Sequence, residues 1–261
     1  MLKKIAIAAT ALGVTATVGL TAASAQQRDI TGYAGSVGGL YMETMAVWVD
    51  LWEDGIEGVS ITPVLGGGTT NPLHVATEDP NSAIGITDTI STVDAWNGTG
   101  DIGKRAPDGL QNLRALYRFN AKSYSAFGIR ASDLPEGVET VGELLEKKPA
   151  LTWTFMQRGN PGELTGRRIL EAYGVSLDDL RDWGGSYSFN PHAEIGSLMI
   201  DGHADVFMVL TRAPAAFMLD MDASISDLTF LPIEDEIIAK VADEYGGYIK
   251  TEHPAEDYGS I

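Results

Sequence analysis

Three times along this chain, a short strand pattern runs into a glycine-rich turn and then into a helical pattern. The turns lie at residues 35–39, 66–71 and 157–163. Strands that alternate with helices in this way are typical of α/β proteins with parallel sheets. In such sheets, ligands bind at the carboxyl ends of the strands, beside the loops that follow. Because the turns fall in two separated parts of the chain, the pattern favours two lobes with a cleft between them.

The first of these turns opens a helix whose start is suited to an anion. Small residues at positions 35, 36, 38 and 39 leave backbone N–H groups uncovered, and the helix dipole adds its positive end. Apolar residues then recur at three- and four-residue steps, which predicts an amphipathic helix. The same glycines would also permit a tight turn without any ligand. The recurrence of similar turns favours the ligand. The apolar residues are Met42, Met45, Ala46, Val49 and Trp52.

Similar patterns predict the remaining elements. Residues 113–117 and 124–129 are predicted as a strand pair or as one long crossing segment, and residues 97–111 as a surface loop. The other predicted strands lie at residues 29–34, 59–65, 83–87, 151–156, 204–210 and 228–233. Further helices are predicted at residues 72–76, 91–96, 141–148, 164–173, 177–183, 191–200, 213–219 and 234–245.

The composition limits the class of protein. With 261 residues, 44% of them hydrophobic, the chain can bury a substantial core in one large domain or two small ones. Its net charge of −18 argues against nucleic-acid binding, which needs a basic face. The absence of cysteine excludes disulfides, thiolate chemistry and cysteine-based metal sites. An anionic ligand would therefore be held by local donors, against the field of the whole chain.

The N-terminus has the organisation of a secretory signal peptide. Two lysines precede an apolar run at residues 5–20, and the small residues 23–25 form a cleavage site before Gln26. A membrane anchor is the alternative, but threonines dilute the run and the cleavage site follows at once. No later segment of the sequence is apolar for long enough to span a bilayer. We therefore expect residues 1–25 to be removed and the mature protein to be soluble and exported.

Five stretches, in a fixed order over most of the mature chain, resemble the solute-binding subunits of TRAP transporters of the TAXI family. They are Gly-Ser-Val-Gly-Gly-Leu-Tyr (35–41), Gly-Gly-Gly-Thr-Thr-Asn-Pro-Leu (66–73), Ala-Ile-Gly-Ile-Thr-Asp (83–88), Asn160-Pro-Gly162 before Arg168-Ile-Leu-Glu-Ala-Tyr-Gly174, and Asp201-Gly-His-Ala-Asp-Val-Phe207 before Ala213-Pro214. The resemblance implies a type II periplasmic binding-protein fold. Two α/β lobes, each a mainly parallel sheet flanked by helices, would close on a small organic anion.

The resemblance also implies how the chain is divided. Residues 1–25 are the signal peptide, residues 26–118 and 229–261 form lobe 1, and residues 119–228 form lobe 2. Relatives usually continue through further helices that complete the first lobe, so the C-terminal part is expected to be shortened. In the third turn, family members commonly carry Ser-Gly-Thr where this chain has Gly162-Glu163-Leu164. An acid thus replaces a hydroxyl donor there.

The resemblance places a ligand-binding site on the turns of both lobes. An arginine fork would match a carboxylate in a bidentate way, although either arginine would also suit an ordinary surface ion pair. Asp88 would bind a ligand amine or, alternatively, cap the next helix. The implied ligand-binding residues are Ser36, Gly39, Tyr41, Gly68, Thr69, Asn71, Thr87 and Asp88 from the first lobe, and Arg158, Asn160, Thr211 and Arg212 from the second.

The function expected from the resemblance is the capture of a small organic anion in the periplasm and its delivery to an integral-membrane TRAP permease. The ligand would be an amino acid or a di- or ketocarboxylate such as glutamate or 2-oxoglutarate. The protein is expected to be a monomer and not an enzyme, with no cofactor, no metal and no nucleic-acid partner. A binding protein of the same fold that serves an ABC importer or a sensor kinase is the alternative.

A secreted serine hydrolase is a more remote alternative. The sequence around Ser36 is a loose variant of the nucleophile elbow, and it lies between a predicted strand and a predicted helix. The candidate bases are His74, His192, His203 and His253. However, the position of Ser36 near the mature N-terminus leaves no room for the strands and the oxyanion loop that precede such an elbow. No histidine has the spacing of a zinc motif either.

Overall fold

The computed structural model describes residues 27–77, 82–119, 122–252 and 258. The predicted signal peptide, residues 1–25, and the candidate base His253 lie outside the described residues. The strands form two separate sheets, one in each half of the described chain. None of the described helices is both long enough and apolar enough to cross a membrane.

The first sheet organises residues 27–119, which we call lobe 1. Its strands are parallel, in the order β2–β1–β3, so the loops after all three strands lie at one edge of the sheet. The strands are β1 (Arg28–Tyr33), β2 (Val59–Val64) and β3 (Ala83–Gly85). The helices are α1 (Leu40–Gly55), α2 (Asn71–Thr77), α3 (Thr89–Asn97) and the single turn α4 (Gly100–Gly103).

The second sheet organises residues 122–245, which we call lobe 2. Its strand order is β6–β5–β7–β4–β8; β5 is parallel to β6 and β7, whereas β4 is antiparallel to β7 and β8. The strands are β4 (Tyr124–Arg130), β5 (Thr152–Met156), β6 (Ser186–Asn190), β7 (Val206–Thr211) and β8 (Leu228–Leu231). The helices are α5 (Val141–Glu146), α6 (Pro161–Ala172), α7 (Leu177–Asp182), α8 (His192–Ile200), α9 (Ala216–Ser224) and α10 (Asp235–Tyr245), with a 3-10 turn at Ala131–Asp133.

The larger hydrophobic core belongs to lobe 2 and covers both faces of its sheet. Along β7, Met208 packs into one cluster with Trp153 and Phe155. Phe207, the adjacent residue of the strand, packs into a second cluster. A strand buried on both faces is typically apolar, as β7 is at five of its six positions. The cluster in lobe 1 is smaller and is centred on Met45 of α1. Lobe 2 is therefore the more extensively packed half.

The predicted apolar face of α1 is only partly buried. Met45 is fully buried, as predicted, whereas Ala46 is exposed. On the outer face of the helix, Val47 and Leu51 are 55% and 62% exposed. The helix therefore packs on the sheet through a narrower stripe than the sequence predicts.

The strand predictions need two corrections, because one predicted strand is not formed and one observed strand was missed. Residues 113–117 form no strand, because this segment runs exposed across α1, where the ring of Tyr117 meets Trp48 edge-on at 6.0 Å. Conversely, β6 was not predicted, although its sequence Ser-Tyr-Ser-Phe-Asn alternates as an edge strand does.

The predicted return of the chain to lobe 1 after residue 228 also needs correction. The structure places β8 beside β4, and α10 packs on α6, so both elements belong to lobe 2. Val241 of α10 is part of the lobe 2 core, and the Lys240 ammonium donates to the Ala172 carbonyl at 2.8 Å. The apolar side chains of β8 and the apolar face of α10 are buried against the hydrophobic core of lobe 2.

A buried ion pair joins the two lobes. Arg168 of α6 contacts Asp94 of α3 at 2.6 Å, and each side chain is only 3% exposed. The second carboxylate oxygen of Asp94 accepts a hydrogen bond from Thr99 at 2.9 Å, and the guanidinium lies 4.2 Å from the ring centre of Tyr245. Because a buried charge that loses its partner is strongly unfavourable, this pair holds α3 against α6.

The Arg168→Met substitution should lower the free energy of unfolding by about 3–5 kcal/mol, since it leaves the Asp94 carboxylate buried without its partner. Urea denaturation at pH 7 measures this. Arg181→Met is the matched control, because Arg181 contacts Asp178 at 3.6 Å in an exposed pair. That control should change stability by less than about 1 kcal/mol. Equal effects in the two variants would contradict the role of the buried pair.

Candidate functional site

The loops at the carboxyl ends of both sheets face one another between the lobes. The Thr69 N–H of lobe 1 donates to the Gly159 carbonyl of lobe 2 at 3.3 Å. Beside this bond, Gly67 approaches the same carbonyl so closely that a Cβ would not fit. Arg212 and Glu43 form an exposed ion pair across the lobes at 3.1 Å. The two lobes are thus in a closed arrangement, with a narrow cleft between their loops.

Helix α1 begins in this cleft without a side-chain cap. Its N-cap is Gly39, which supplies no side chain, and the preceding Gly38 has a φ of +76° that favours glycine. The first hydrogen bonds of the helix are donated by Met42 and Glu43 to the Gly39 carbonyl. The N–H groups of Leu40 and Tyr41 precede these bonds and belong to the unpaired first turn. This start can therefore attract an anion, as the sequence predicts.

Two buried polar atoms beside this helix start have no hydrogen-bond partner among the described residues. They are Ser36 Oγ of lobe 1 and His192 Nδ1 of lobe 2, whose residues are 4% and 7% exposed. A Cβ placed on Gly39 would lie 3.3 Å from Ser36 Oγ and 3.5 Å from His192 Nδ1. The two atoms therefore approach Gly39 from opposite lobes. Because unpaired buried polar groups are costly, Ser36 Oγ and His192 Nδ1 are the candidates to bind the polar groups of a ligand.

His192 is a neutral imidazole in this site. Burial lowers its pKa to about 4, and a hydrogen bond with the backbone of Leu210 opposes this shift only in part. The ring is held by an edge-on contact with Phe217, whose ring centre is 5.1 Å away.

Sequence reasoning missed His192 as a ligand-binding residue and considered it only as a base for the remote hydrolase. The usable signal was its position, because it opens α8 directly after the carboxyl end of β6. Its proximity to Ser36 depends on how two lobes meet, and no local pattern reveals that.

Asn71 holds the loops of lobe 1 together and does not offer its donors to the cleft. The side chain is fully buried, and its amide nitrogen is shared among the carbonyls of Tyr33, Ala34 and Ile86 at 3.1, 2.7 and 2.6 Å. Its oxygen accepts from the Gly67 N–H at 3.0 Å. The prediction that Asn71 binds the ligand is therefore corrected to a structural role that ties the ends of β1 and β3 to the second turn.

Three more of the expected residues shape the loops. Asp88 caps α3, since its carboxylate accepts from the Ser91 N–H at 2.8 Å and from the Ser91 hydroxyl at 2.9 Å. Burial raises the pKa of Asp88, and the bonds from Ser91 oppose that shift. Thr87 donates to the Gly68 carbonyl at 2.8 Å, and Asn160 caps α6. Of the two alternatives for Asp88, the helix cap is the one observed.

Tyr41 and Thr211 stay predictions as ligand-binding residues. Burial raises the pKa of the Tyr41 hydroxyl well above its usual value, and the nearby charge of Asp88 adds to the effect. Tyr41 therefore remains a neutral phenol. Thr211 ends β7 and is 8% exposed.

A pocket of about 190 Å³ lies at one side of the cleft, where Arg158 is found. The Arg158 guanidinium stacks on Phe189 at 4.3 Å and has no carboxylate partner among the described residues. Arg105 lines the same pocket, together with Thr69 and Thr70. In contrast to Arg158, Arg212 is engaged in its pair with Glu43. Of the two predicted arginines, Arg158 thus has its positive charge available.

Glu163, the acid in the third turn, does not present an unpaired charge to the cleft. It is buried, and Arg167 contacts its carboxylate at 2.7 Å. Arg167 also contacts Asp101 of lobe 1 at 2.6 Å. The replacement of a hydroxyl by an acid is therefore compensated locally.

Solved structures identify the class of fold. PhnD1 from Prochlorococcus marinus (MIT 9301), in complex with methylphosphonate, has a TM-score of 0.50 and 14% identity, covering 83% of this chain and 79% of that one. The alkanesulfonate-binding protein SsuA from Xanthomonas axonopodis pv. citri, bound to MOPS, has a TM-score of 0.46 and 13% identity, covering 81% of this chain. This chain spans 62% of the Xanthomonas protein, less than two thirds of its length. The fold is that of the type II periplasmic binding proteins, as predicted.

Residues 34–260 match the NMT1-like family, and the chain belongs to that family. No curated protein matches the sequence.

The buried histidine makes the stability of the fold sensitive to acid. An unfolded histidine has a pKa of about 6.5, and the folded value of His192 is about 4. As the pH falls, the unfolded state therefore binds the proton first. The contribution of neutral His192 to the free energy of unfolding is complete above pH 6.5. About 2–3 kcal/mol of it is lost between pH 6.5 and pH 4.

Urea denaturation at pH 7.5 and 4.5 checks this prediction. The His192→Asn variant should lose about 2–3 kcal/mol less stability over this interval than the native protein. His203→Asn is the control, because His203 is exposed, and it should lose as much as the native protein. An equal acid loss in all three proteins would argue against a neutral buried His192.

Proposed function

We propose that this protein is an exported solute-binding protein that captures a small organic anion between its two lobes. The observation that carries the proposal is that two unpaired polar atoms, Ser36 Oγ and His192 Nδ1, lie beside Gly39 at the uncapped start of α1. Each of these groups is polar and lacks a partner in the protein, and together they come from both lobes. A ligand seated there would complete their hydrogen bonds and hold the lobes closed.

The proposed ligand is an anion because the open donors of lobe 1 favour negative charge. The first-turn N–H groups of α1 and the helix dipole attract a carboxylate, sulfonate or phosphonate. Arg158 adds an uncompensated positive charge at the side of the cleft, in a chain whose net charge is −18. PhnD1, which has the same fold, binds methylphosphonate, a small organic anion. By this fold-level analogy, the candidate ligands include phosphonates as well as glutamate and 2-oxoglutarate.

We propose that capture involves separation and closure of the lobes, with α3 and α6 as the hinge side. The contact of Arg212 with Glu43 is exposed, and such pairs contribute about 0–1 kcal/mol. Separating Arg168 from Asp94 would cost several kcal/mol, because both charges are buried. The cleft would therefore open on the side of Arg212 while the buried pair stays in contact.

The partner in the proposed function is a membrane permease that accepts the ligand from the closed protein in the periplasm. The sequence resemblance to TAXI proteins favours a TRAP permease, and an ABC importer is the second candidate. A sensor kinase is the third candidate. The genes beside this one discriminate them, because a large multi-spanning permease indicates TRAP and an ATPase indicates ABC.

A serine hydrolase has one observation in its favour, since Ser36 and His192 both lie beside Gly39. However, Ser36 Oγ makes no hydrogen bond to the imidazole, and the hydrogen-bond partner of the ring is the backbone of Leu210 rather than the carboxylate of a triad. A base whose pKa is about 4 is also poorly matched to proton abstraction at neutral pH. Release of p-nitrophenol from p-nitrophenyl acetate, abolished in Ser36→Ala, would favour the hydrolase over the binding protein.

A thermal-shift screen against carboxylates, sulfonates and phosphonates tests the proposed function. A ligand present at a hundredfold its Kd should stabilise the fold by about 2.7 kcal/mol. Ser36→Ala should weaken the binding of that ligand about tenfold or more, because a hydrogen bond to a charged group contributes about 1.5–3 kcal/mol. The same substitution should not lower the stability of the free protein, since Ser36 Oγ has no partner there.

Ser197→Ala is the matched control, because Ser197 is exposed and its hydroxyl donates only to the Ala193 carbonyl of its own helix, at 3.2 Å. It should bind the ligand as the native protein does. Failure of every anion class to shift the melting temperature would contradict the proposed function, as would native affinity in Ser36→Ala.

A further inference from the structure

A second candidate site is the pocket of about 190 Å³ at the side of the cleft, whose lining includes neither Ser36 nor His192. Its walls come from both lobes. Lobe 1 contributes the start of α2, the turn α4 and the residues that follow it, and lobe 2 contributes the loop before α6 and the first turns of that helix. Arg105 comes from the first wall and Arg158 from the second. The pocket thus brings together one arginine from each lobe.

These two arginines carry positive charges that no acid of the described residues neutralises. None of the ion pairs within the described ranges includes Arg105 or Arg158. The Arg158 guanidinium lies with its face over the ring of Phe189, and stacking of this kind leaves the N–H groups at the edge of the guanidinium available. Because two like charges that share a small pocket repel one another, an anion between them would be favourable.

The acids of the pocket do not supply that negative charge, because they are already engaged. Arg167 contacts Glu163 at 2.7 Å and Asp101 at 2.6 Å. The other carboxylate oxygen of Asp101 lies 2.6 Å from the Lys104 ammonium. These two cations offset the two acids. The lining as a whole therefore keeps an excess of positive charge, in a chain whose net charge is −18.

The size and the donors of the pocket favour a small oxyanion. Pockets for organic ligands of drug size measure about 300–1,000 Å³, so a volume of about 190 Å³ suits a smaller guest. The Thr69 hydroxyl lines the pocket and makes no hydrogen bond within the part of the chain that the structure describes. Guanidinium groups present their N–H donors in a fork that matches the oxygens of a phosphate or a carboxylate. The donors therefore suit a compact ion with several oxygens.

We propose that this pocket binds a compact, doubly charged oxyanion of the phosphate or sulfate type between Arg105 of lobe 1 and Arg158 of lobe 2. The inference goes beyond the proposed function, because it concerns a second site that does not include Ser36 or His192. An anion held by both arginines joins the two lobes beside the contact of Arg167 with Asp101. It thereby stabilises the arrangement in which the lobes meet.

Isothermal titration with inorganic phosphate and with sulfate, at pH 7.5 and at an ionic strength held constant with sodium chloride, tests the inference. The native protein should bind at least one of these ions in a single event. Arg105→Gln and Arg158→Gln should each weaken that event about tenfold or more, because each removes charge-assisted hydrogen bonds to the same anion. Ser36→Ala should keep the native affinity, since Ser36 lies outside the pocket.

The chain offers a matched control for each arginine. Arg114 is an exposed arginine of lobe 1 outside the pocket, where it donates to the Gln111 carbonyl. Arg181 of lobe 2 lies over the ring of Tyr187 at 4.3 Å, as Arg158 lies over Phe189. Arg114→Gln and Arg181→Gln remove the same charge elsewhere and should bind the ion as the native protein does.

The other outcomes would each overturn the inference. Absence of binding by both ions would do so and would leave the proposed function standing, because that function depends on an organic anion beside Gly39. Weakening by only one of the two pocket substitutions would contradict a bridge between the lobes. Equal weakening in the two control variants would indicate attraction by overall charge instead of a site. Loss of binding in Ser36→Ala would place the ion at the start of α1.

The test remains decisive if Arg158→Gln does not fold. Arg105 is exposed and forms no ion pair within the described residues, so Arg105→Gln should leave the fold intact. Native affinity for phosphate and sulfate in Arg105→Gln would by itself overturn the inference.

Discussion

The buried contact between Arg168 and Asp94 is the interaction on which the position of the two lobes depends. It lies on α6 and α3, and these helices begin at the cleft, where Asn160 and Asp88 cap them. A movement of one helix against the other would therefore both displace the cleft loops and separate two buried charges. Because the second change is strongly unfavourable, the pair fixes the frame in which Gly39 of one lobe meets His192 of the other.

The charges of the chain are arranged so that the centre of the site is neutral. Arg167 compensates Glu163 and Asp101 at the side of the cleft, while the central point is surrounded by a hydroxyl, an unprotonated imidazole and backbone N–H groups. The acidic body of the protein opposes the approach of an anion at long range. Affinity must then come from hydrogen bonds at short range, which depend on the exact chemistry of the ligand more than a cluster of positive charges would.

Most of the fold could be predicted from the sequence because most of the elements have a local sequence pattern. The glycine-rich turns, the caps and the alternation of strands with helices all depend on neighbours in the chain. The errors have a common cause in tertiary packing. The strand β8 and the helix α10 pack in lobe 2 and not in lobe 1, and residues 113–117 lie exposed across α1. The same holds at the site. Ser36 and Gly39 were predicted from their motif, but the full use of Asn71 by backbone carbonyls and the approach of His192 arise only when distant segments meet.

In the proposed function, the unpaired atoms Ser36 Oγ and His192 Nδ1 connect ligand binding with closure. When the lobes close without a ligand, Ser36 Oγ and His192 Nδ1 are removed from water without gaining partners, and each such group costs about 1–3 kcal/mol. When the lobes are apart, water can pair with both groups, so the open form is favoured by that amount. A ligand that supplies a partner for each group removes the penalty in the closed form alone, and a ligand can shift such an equilibrium only by its difference in affinity between the two forms. A compound that pairs with only one group would bind but leave part of the penalty in place. Under this proposal, the same two atoms therefore govern the selection of the ligand and the closure of the lobes.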